Sequence, residues 1–376
     1  MIIHTYIYIS MEEEKTFKFV DQGGYGCVFR PEIVCDTNEI GSTDYISKIY
    51  RSGENINDSD TQKEIAISNI IKKIPNYSSF FAPIIQTCPV NIKEYKSKHI
   101  NEIEQCDVVY DIKKDDKGNT VSKTMSDNDI YYSAKMRFIP NKLDRELSYL
   151  VENTLEDDFV RKMEQTFQHI DIGLQKCYDA GFVHYDIKPD NILYDDSVHA
   201  PIIIDYGITV VIEDLTIAVE TMSQKHLEDI FYTNKYYYYW CIDIFVISQF
   251  LYENITPNAT QDITESMMKN VLNLYMQNYI KNHKPTTEES TVLYEKYWEF
   301  YSPFVGKPWT DIVKKCMEQK WYQTWDYYSL CISYLNIYTS LSKRRVYLKN
   351  NKRMQDMVEK WKNAVFSSDP TKRRSA

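Results

Sequence analysis

Asp186, Asn191 and Asp205 follow one another at spacings of five and fourteen residues in a chain of 376. Phosphoryl transfer asks for a carboxylate that orients an attacking hydroxyl, oxygen ligands for one or two magnesium ions, and a cradle for phosphates. The segment His184-Tyr185-Asp186-Ile187-Lys188-Pro189-Asp190-Asn191 carries an acid, a cation and an amide within six residues of one another. Further on, Ile202-Ile203-Ile204-Asp205-Tyr206-Gly207 is an apolar run ending in an acid and a glycine, which places a carboxylate where a metal can reach it. Upstream, Val20-Asp21-Gln22-Gly23-Gly24-Tyr25-Gly26-Cys27-Val28 is a glycine cluster, and backbone N–H groups approach phosphates only where side chains do not intervene. Taken singly, these segments also read as a hydrophilic turn and a hairpin. Their joint order favours phosphoryl transfer.

The elements that position these residues follow from the apolar pattern. Phe17 and Phe19, then Val28 and Phe29, flank the glycine turn, and Tyr45 to Tyr50 supplies a third strand. A helix is expected from Asp60, a good N-cap, to just before Pro75. Residues 88–129 are polar and contain Asp115-Asp116-Lys117-Gly118-Asn119, which predicts an inserted, partly mobile excursion. Tyr131 to Ile139 predicts a strand closed by Pro140, the boundary between a small strand-rich part and a helical part. From Glu156, the residues Val160, Met163, Phe167, Ile170, Leu174 and Cys177 recur at steps of three and four, one face of an amphipathic helix stopped by Gly181. Short strands are predicted around Val183, at Ile192 to Tyr194 and at Pro201 to Ile204, before a long helix-prone remainder rich in tyrosine and tryptophan.

His-Tyr-Asp-Ile-Lys-Pro-Asp-Asn-Ile-Leu resembles the catalytic loop of eukaryotic-type serine/threonine protein kinases, and Asp205-Tyr206-Gly207 resembles their magnesium-binding triplet. The resemblance implies an α+β, bilobal protein-kinase-like fold with a small β-rich N-lobe and a larger helical C-lobe. On that reading residues 1–16 are an N-terminal extension, 17–140 the N-lobe with an insert at about 88–129, and 141–376 the C-lobe with a helical insert at about 258–298. It implies Asp186 as catalytic base, Lys188 as the cation that steadies the transferring phosphate, and Asn191 and Asp205 as magnesium ligands. Gly23, Gly24 and Gly26 would form the glycine-rich loop, with Asp21 in place of its usual first glycine, and Val28 would cover adenine. Lys48 stands where the family's phosphate-binding lysine does, sixteen residues before its expected ion-pair partner Glu64, with Glu54 a weaker rival. Met136-Arg137-Phe138-Ile139-Pro140 resembles the hinge, with Met136 as gatekeeper and Phe138 among the backbone groups that contact adenine. Asp243 in Cys241-Ile242-Asp243-Ile244-Phe245 resembles the buried aspartate that braces the catalytic loop. Asp369 to Ala376 resembles the motif that closes the domain, whose arginine pairs with an acid near the end of the activation segment, for which Glu228 is the candidate. Tyr185 replaces the arginine that commonly reads an activation-loop phosphate, so activity without loop phosphorylation is expected.

The implied reaction is transfer of the ATP γ-phosphate, with Mg2+ or Mn2+, to serine or threonine hydroxyls of protein substrates. Lys188 two residues after Asp186 favours that substrate over tyrosine and over the small-molecule kinases of the aminoglycoside and choline type, which tend to lack it. A pseudokinase binding module is the remaining alternative, and its usual sign, loss of Lys48, Glu64, Asp186, Asn191 or Asp205, is not seen. The loose glycine loop, the inserts and the Ile, Asn and Tyr content are similar to kinases encoded by large cytoplasmic DNA viruses.

Composition bounds the remainder. A net charge of −10 argues against a nucleic-acid partner, and 43% apolar with 26% charged residues is the balance of a folded globular chain. Met1 to Ser10 is too short to span a bilayer and lacks the flanks of a signal peptide, so no membrane partner and a cytoplasmic location, in a host cell or virion, are expected. The eight cysteines show no Cys-x-x-Cys pair, which predicts reduced thiols. Cys27 in the glycine loop is either open to oxidants or an inert small apolar residue. Between Lys343 and Ala376 eleven Lys or Arg face only Asp356, Glu359 and Asp369, a solvated basic face or a site for an acidic partner.

Overall fold

A computed structural model describes residues 16–22, 26–35, 40–52, 59–114, 120–124, 130–233, 235–252 and 262–375. The chain divides into two compact units, one of Met1–Pro140 with Asp205–Gly207, the other of Asn141–Ile204 with Ile208–Ala376. A β-sheet region and a mostly helical remainder make an α+β protein.

The first unit is built on an antiparallel sheet of β1 (Lys18–Gln22), β2 (Gly26–Arg30), β3 (Tyr45–Ser52), β4 (Gln86–Val90) and, later in the chain, a long strand at Ile130–Arg137, in the order β1, β2, β3, long strand, β4. Between β3 and β4 lies helix α1 (Ser59–Ile71). After β4 come α2 (Ile92–Lys98), α3 (Ile100–Ile103) and the hairpin β5 (Asp111–Lys114) and β6 (Thr120–Thr124), so the long strand is β7. The period-two alternation of strands sorts the sheet into two faces. On one, Val28 pairs with Lys48 and Lys48 with Ala134, while Ile46 pairs with Met136. On the other, Cys27, Phe29, Ile49 and Tyr131 join a core with Ile92, Tyr95, Ile103, Val109 and Tyr110. The excursion after Cys88 is thus largely a cap: Ile92, Tyr95, Ile103, Cys106, Val109 and Tyr110 are buried against the sheet while Ile100 and Val121 stay exposed, with Asn91 capping α2 through the Glu94 amide. The loop 115–119 and the glycines Gly23 and Gly24 lie outside the described residues, as does Glu54.

The cysteines of this unit depart from the reduced state expected of them. Cys27 bonds Cys106 and Cys35 bonds Cys88, at Cα separations of 5.7 and 5.4 Å. Pairs 79 and 53 residues apart in sequence leave no local spacing signal, because the strands and the cap bring them together. Cys27 is therefore neither an open thiol nor an inert one.

The second unit starts with β8 (Asn141–Lys142), α4 (Leu143–Asn153) and α5 (Glu156–Asp179). The predicted stripe of α5 is buried at all six positions from Val160 to Cys177, and Gly181, at φ +90°, turns the chain where a side chain would be strained. Next come β9 (Phe182–Val183), β10 (Ile192–Asp195), β11 (Ala200–Ile203) and β12 (Val210–Val211), with β10 between β11 and β8, and β9 paired to β12. The remainder is helical: α6 (Ile212–Thr221), α7 (Gln224–Ile230), α8 (Ile242–Tyr252), α9 (Glu265–His283), α10 (Thr287–Tyr301), α11 (Thr310–Glu318), α12 (Trp325–Leu341), α13 (Tyr347–Asn350) and α14 (Lys352–Val365). Helices α8 and α12 are buried on nearly every face, as sequences apolar all round must be. Phe167 of α5, Tyr334 of α12 and Trp361 of α14 form an aromatic triangle with centroids 5.1 to 5.3 Å apart. The basic C-terminal stretch meets the chain's own acids: Arg345 pairs with Glu152, Arg353 with Glu164 and Arg374 with Asp171.

Candidate active site

In the first unit Lys48 and Glu64 meet as an ion pair. Lys48 Nζ on β3 lies 3.1 and 3.3 Å from the two carboxylate oxygens of Glu64 on α1, and 3.4 Å from Asp205 Oδ1. Tyr50 donates to Glu64 Oε2 at 2.7 Å, so the buried carboxylate meets a cation and a phenol. Burial by itself would lower the Lys48 pKa, yet the Glu64 carboxylate, then Tyr50 and Asp205, hold it well above its ordinary value. Lys48 is a permanent cation here. Gly26 serves this arrangement by close approach, since an added Cβ would meet Ile49 O at 2.9 Å and Lys48 Cγ at 3.2 Å. Val28 is the cross-strand neighbour of Lys48 and lies half-buried on the same sheet face. Met136 packs beside Tyr50, Ile84 and Ala134. The Phe138 N–H donates to Asp44 O at 2.9 Å, which leaves its carbonyl as the backbone group open to a ligand, and its ring lies 3.7 Å from the Arg30 guanidinium. That amide is committed to closing the start of β3.

Asp205 carries its side chain 44% exposed at a left-handed φ of 65°, a conformation that costs a residue with a Cβ and recurs at functional positions. Among the described residues no group of three or more His, Cys, Asp or Glu is arranged to hold a metal. A magnesium held by one or two protein oxygens and by substrate phosphates needs no such cluster.

In the second unit the loop between β9 and β10 is arranged around Asp186. Its Oδ2 accepts from Lys188 Nζ and from Asn191 Nδ2, each at 2.8 Å, and its carbonyl accepts from the same Asn191 amide at 2.9 Å. Holding Nδ2 between two oxygens turns the Asn191 carbonyl oxygen away from Asp186. The other carboxylate oxygen, Oδ1, accepts from the Tyr237 hydroxyl at 2.7 Å. His184 sets the loop's shape: Nε2 lies 3.0 Å from Ile204 O, and Nδ1 accepts the Asp186 N–H at 3.3 Å. Those partners require the neutral ring with its proton on Nε2.

The acid that braces the loop is not the one expected. The loop between β9 and β10 is braced by Asp326, whose Oδ2 and Oδ1 accept the N–H groups of His184 and Tyr185 at 2.8 and 2.7 Å. Asp243, expected to do this, instead pairs inside the unit with Arg373, accepts the Trp325 indole N–H at 2.7 Å, and is fully buried with its partner. Arg373 therefore does not meet Glu228, which accepts from Gln224 on α7 at 2.8 Å. Sequence order misled because a buried acid near a helix start occurs twice, at Asp243 in α8 and at Asp326 in α12. The Trp325-Asp326 start of an otherwise apolar helix was the available signal. Burial raises the Asp326 pKa against the opposing hydrogen bonds from the His184 and Tyr185 amides.

Tyr185 is packed into the interior of the second unit. At φ 71° its backbone is strained, and it is held by Asp326 and by the Trp240 indole, which donates to its carbonyl at 2.9 Å. Its ring is buried at 4.7 Å from Trp240 and 5.5 Å from Trp325, an aromatic packing where a cation is usual. Tyr237, Trp240 and Asp326 are the site residues that sequence reasoning did not single out.

No family model matches the chain. It is similar to proteins named serine/threonine-protein kinase 1 of African swine fever virus, a large cytoplasmic DNA virus. With that of a Kenyan pig isolate it shares 27% identity over 196 residues, 50% of this chain and 62% of the relative. With that of the Badajoz strain it shares 25% over 191 residues, covering the same shares. A Malawian tick isolate gives 32% over 121 residues, 32% of this chain and 38% of the relative. The chain thus spans less than two thirds of the length of these relatives. The resemblance that Asp186, Asn191 and Asp205 first suggested, to divergent serine/threonine kinases of large cytoplasmic DNA viruses, accordingly extends over about half the sequence.

Proposed function

We propose that this chain is a protein kinase that transfers the γ-phosphate of ATP to serine or threonine hydroxyls of proteins, its two units being the lobes of a protein-kinase-like fold. The observation that carries this reading is Asp186: one carboxylate oxygen is held by Lys188 and Asn191, and the other accepts a hydroxyl proton at 2.7 Å. A carboxylate within about 2.6–3.2 Å of a hydroxyl is positioned to take its proton as that oxygen attacks. Lys188 neutralises charge beside it, and Lys48, kept charged by Glu64, suits the α- and β-phosphates. Asn191 and Asp205 offer the hard oxygen donors that suit Mg2+ or Mn2+, which when bound would offset the charge on the phosphates. Val28 and Met136 remain the adenine neighbours of this reading, with Gly23, Gly24 and Gly26 as its glycine loop.

Lys188 on Asp186 favours a protein acceptor over an amino-sugar or choline. Retention of Lys48, Glu64, Asp186, Asn191 and Asp205 favours an enzyme over a binding module. The buried, uncharged Tyr185 supports activity that does not depend on that residue reading a loop phosphate. The viral kinases among its relatives support a location in the host cytoplasm or the virion. The test is transfer of label from ATP with magnesium to a generic basic protein, set against amino-sugars and choline. Lys48→Met and Asp186→Asn should each remove transfer, the latter by about 10²–10⁴-fold. An Asp186→Asn protein as active as the parent overturns the assignment.

A further inference from the structure

We propose that Tyr237 is an intramolecular phosphoacceptor: the site that phosphorylates protein hydroxyls also phosphorylates this phenol in its own chain, with a nucleoside triphosphate as donor. The inference rests on the reading of Asp186 as the base, and adds a tyrosine modification site to it.

The geometry is that of an acceptor hydroxyl at a general base. Tyr237 Oη donates to Asp186 Oδ1 at 2.7 Å, on the carboxylate oxygen that Lys188 and Asn191 leave to it. Its ring lies half-buried, edge-on to Tyr239 at 5.7 Å and to Trp240 at 5.2 Å. Burial, and then the Asp186 charge, raise its pKa far above the ordinary tyrosine range, so the phenol is protonated and is the donor.

Tyr237 is held at that position by its neighbours in the Tyr236-Tyr237-Tyr238-Tyr239-Trp240 run. The Tyr236 hydroxyl lies 3.4 Å from His283 Nε2 on α9, and the Tyr238 hydroxyl donates to Asn336 on α12 at 2.8 Å. The Tyr238 ring stacks on His283 at 4.5 Å, and the Trp240 indole bonds the Tyr185 carbonyl inside the catalytic loop. The Trp240 N–H donates to the Tyr237 carbonyl at 3.0 Å, closing a turn, and with Tyr236 and Tyr238 held on either side Tyr237 stays at the carboxylate. The entropy of bringing acceptor to base is already spent in folding, the condition under which an intramolecular reaction outruns a bimolecular one.

The step balances without a further reagent. As Tyr237 Oη forms its bond to the γ-phosphorus, the bond from that phosphorus to the β–γ bridging oxygen breaks and ADP leaves with its electron pair. The phenolic proton passes to Asp186. A phosphate of about −1.5 to −2 charge on Tyr237 would then face the Asp186 carboxylate, and like charges there repel. Transfer is a single event per chain that ends with the phenol off the base.

The experiment treats phosphatase-stripped full-length protein with γ-labelled ATP and magnesium, maps the labelled peptides by mass spectrometry, and runs a generic basic protein alongside. The expected result is up to one phosphate per chain at Tyr237, at a first-order rate unchanged over a hundredfold range of protein concentration. Asp186→Asn should leave Tyr237 unlabelled, and Tyr237→Phe should remove that labelled peptide. Label on the basic protein with none on Tyr237 overturns the proposal and spares the kinase reading. A Tyr237 labelling rate that rises with protein concentration overturns the intramolecular assignment. Label on neither Tyr237 nor the basic protein overturns both.

Discussion

Cysteines separate the two units of this molecule. In the sheet unit Cys27, Cys35, Cys88 and Cys106 are all paired, while in the helical unit Cys177, Cys241, Cys316 and Cys331 are all free and buried. The residue type is the same, and the architecture differs. The sheet unit covers one face with two short helices and the turn at 107–110, and its first strand is exposed along most of its length. Little apolar area is available there, and cross-links between distant segments compensate by restricting the unfolded chain. The helical unit has a large aromatic interior, with Phe167, Tyr334 and Trp361 at one crossing and Tyr185, Trp240 and Trp325 at another. It also buries an ion pair outright: Arg373 and Asp243 are each 0% exposed. Thiols inside such packing serve as small apolar groups, and burial pushes the Cys177, Cys241 and Cys316 pKa values well up.

That contrast can be broken at four places. The largest effect is expected from Arg373→Leu, which strands the Asp243 carboxylate; removing one partner of a buried pair costs about 3–5 kcal/mol. Thermal melting of the helical unit should fall while amide exchange in β1 to β3 stays as in the parent, and equal loosening of both regions would erase the contrast. Next comes reduction of Cys27–Cys106, or Cys106→Ser, at about 2–4 kcal/mol of stability for a loop of this length. Exchange in β2 and the cap should rise and the helical unit should not respond; unchanged exchange in the sheet would show that the bond bears no load.

A pH effect of intermediate size is expected on the helical side. Burial between Tyr238 and Tyr279 lowers the His283 pKa to about 4, from an ordinary value of 6.5. A histidine whose folded pKa is depressed is neutral in the native state while its unfolded form takes up a proton. Stability is therefore full above about pH 6.5 and is lost as pH falls from there toward 4, by on the order of 1–2 kcal/mol for a partly exposed ring. His283→Phe should flatten that slope in urea titrations at pH 7 and pH 5, and a slope equal to the parent's would assign the loss to other groups. The smallest effect belongs to Arg353→Ala, which removes an exposed pair with Glu164 worth about 0.2–1 kcal/mol. A larger loss would mean that the basic C-terminal stretch holds α14 by charge as well as by Trp361.

Local pattern accounts for what was legible. The stripe on α5, the stop at Gly181 and the strand at β7 follow from spacing and from single residues, because their causes lie within one or two turns of chain. Asp186, Lys188 and Asn191 were readable for the same reason: their mutual hydrogen bonds span at most five residues. Lys48 and Glu64 needed a longer step, and a sheet followed by one helix was enough to bridge it.

Contacts over long separations were not legible in that way. Which of two buried aspartates braces the loop depended on Asp326 meeting amides about 140 residues earlier, and on Arg373 taking Asp243 from 130 residues away. The cysteine pairs, the commitment of the Phe138 amide and the Tyr237 contact with Asp186 were likewise set by packing. The sequence by itself determined which groups meet around Asp186, because a carboxylate, an amide and a cation at short spacing can come together without help from the rest of the chain. The tertiary structure decided what supports that chemistry and what occupies it, because a bracing acid, a cross-link and a competing phenol depend on which distant segments are brought within about 3 Å.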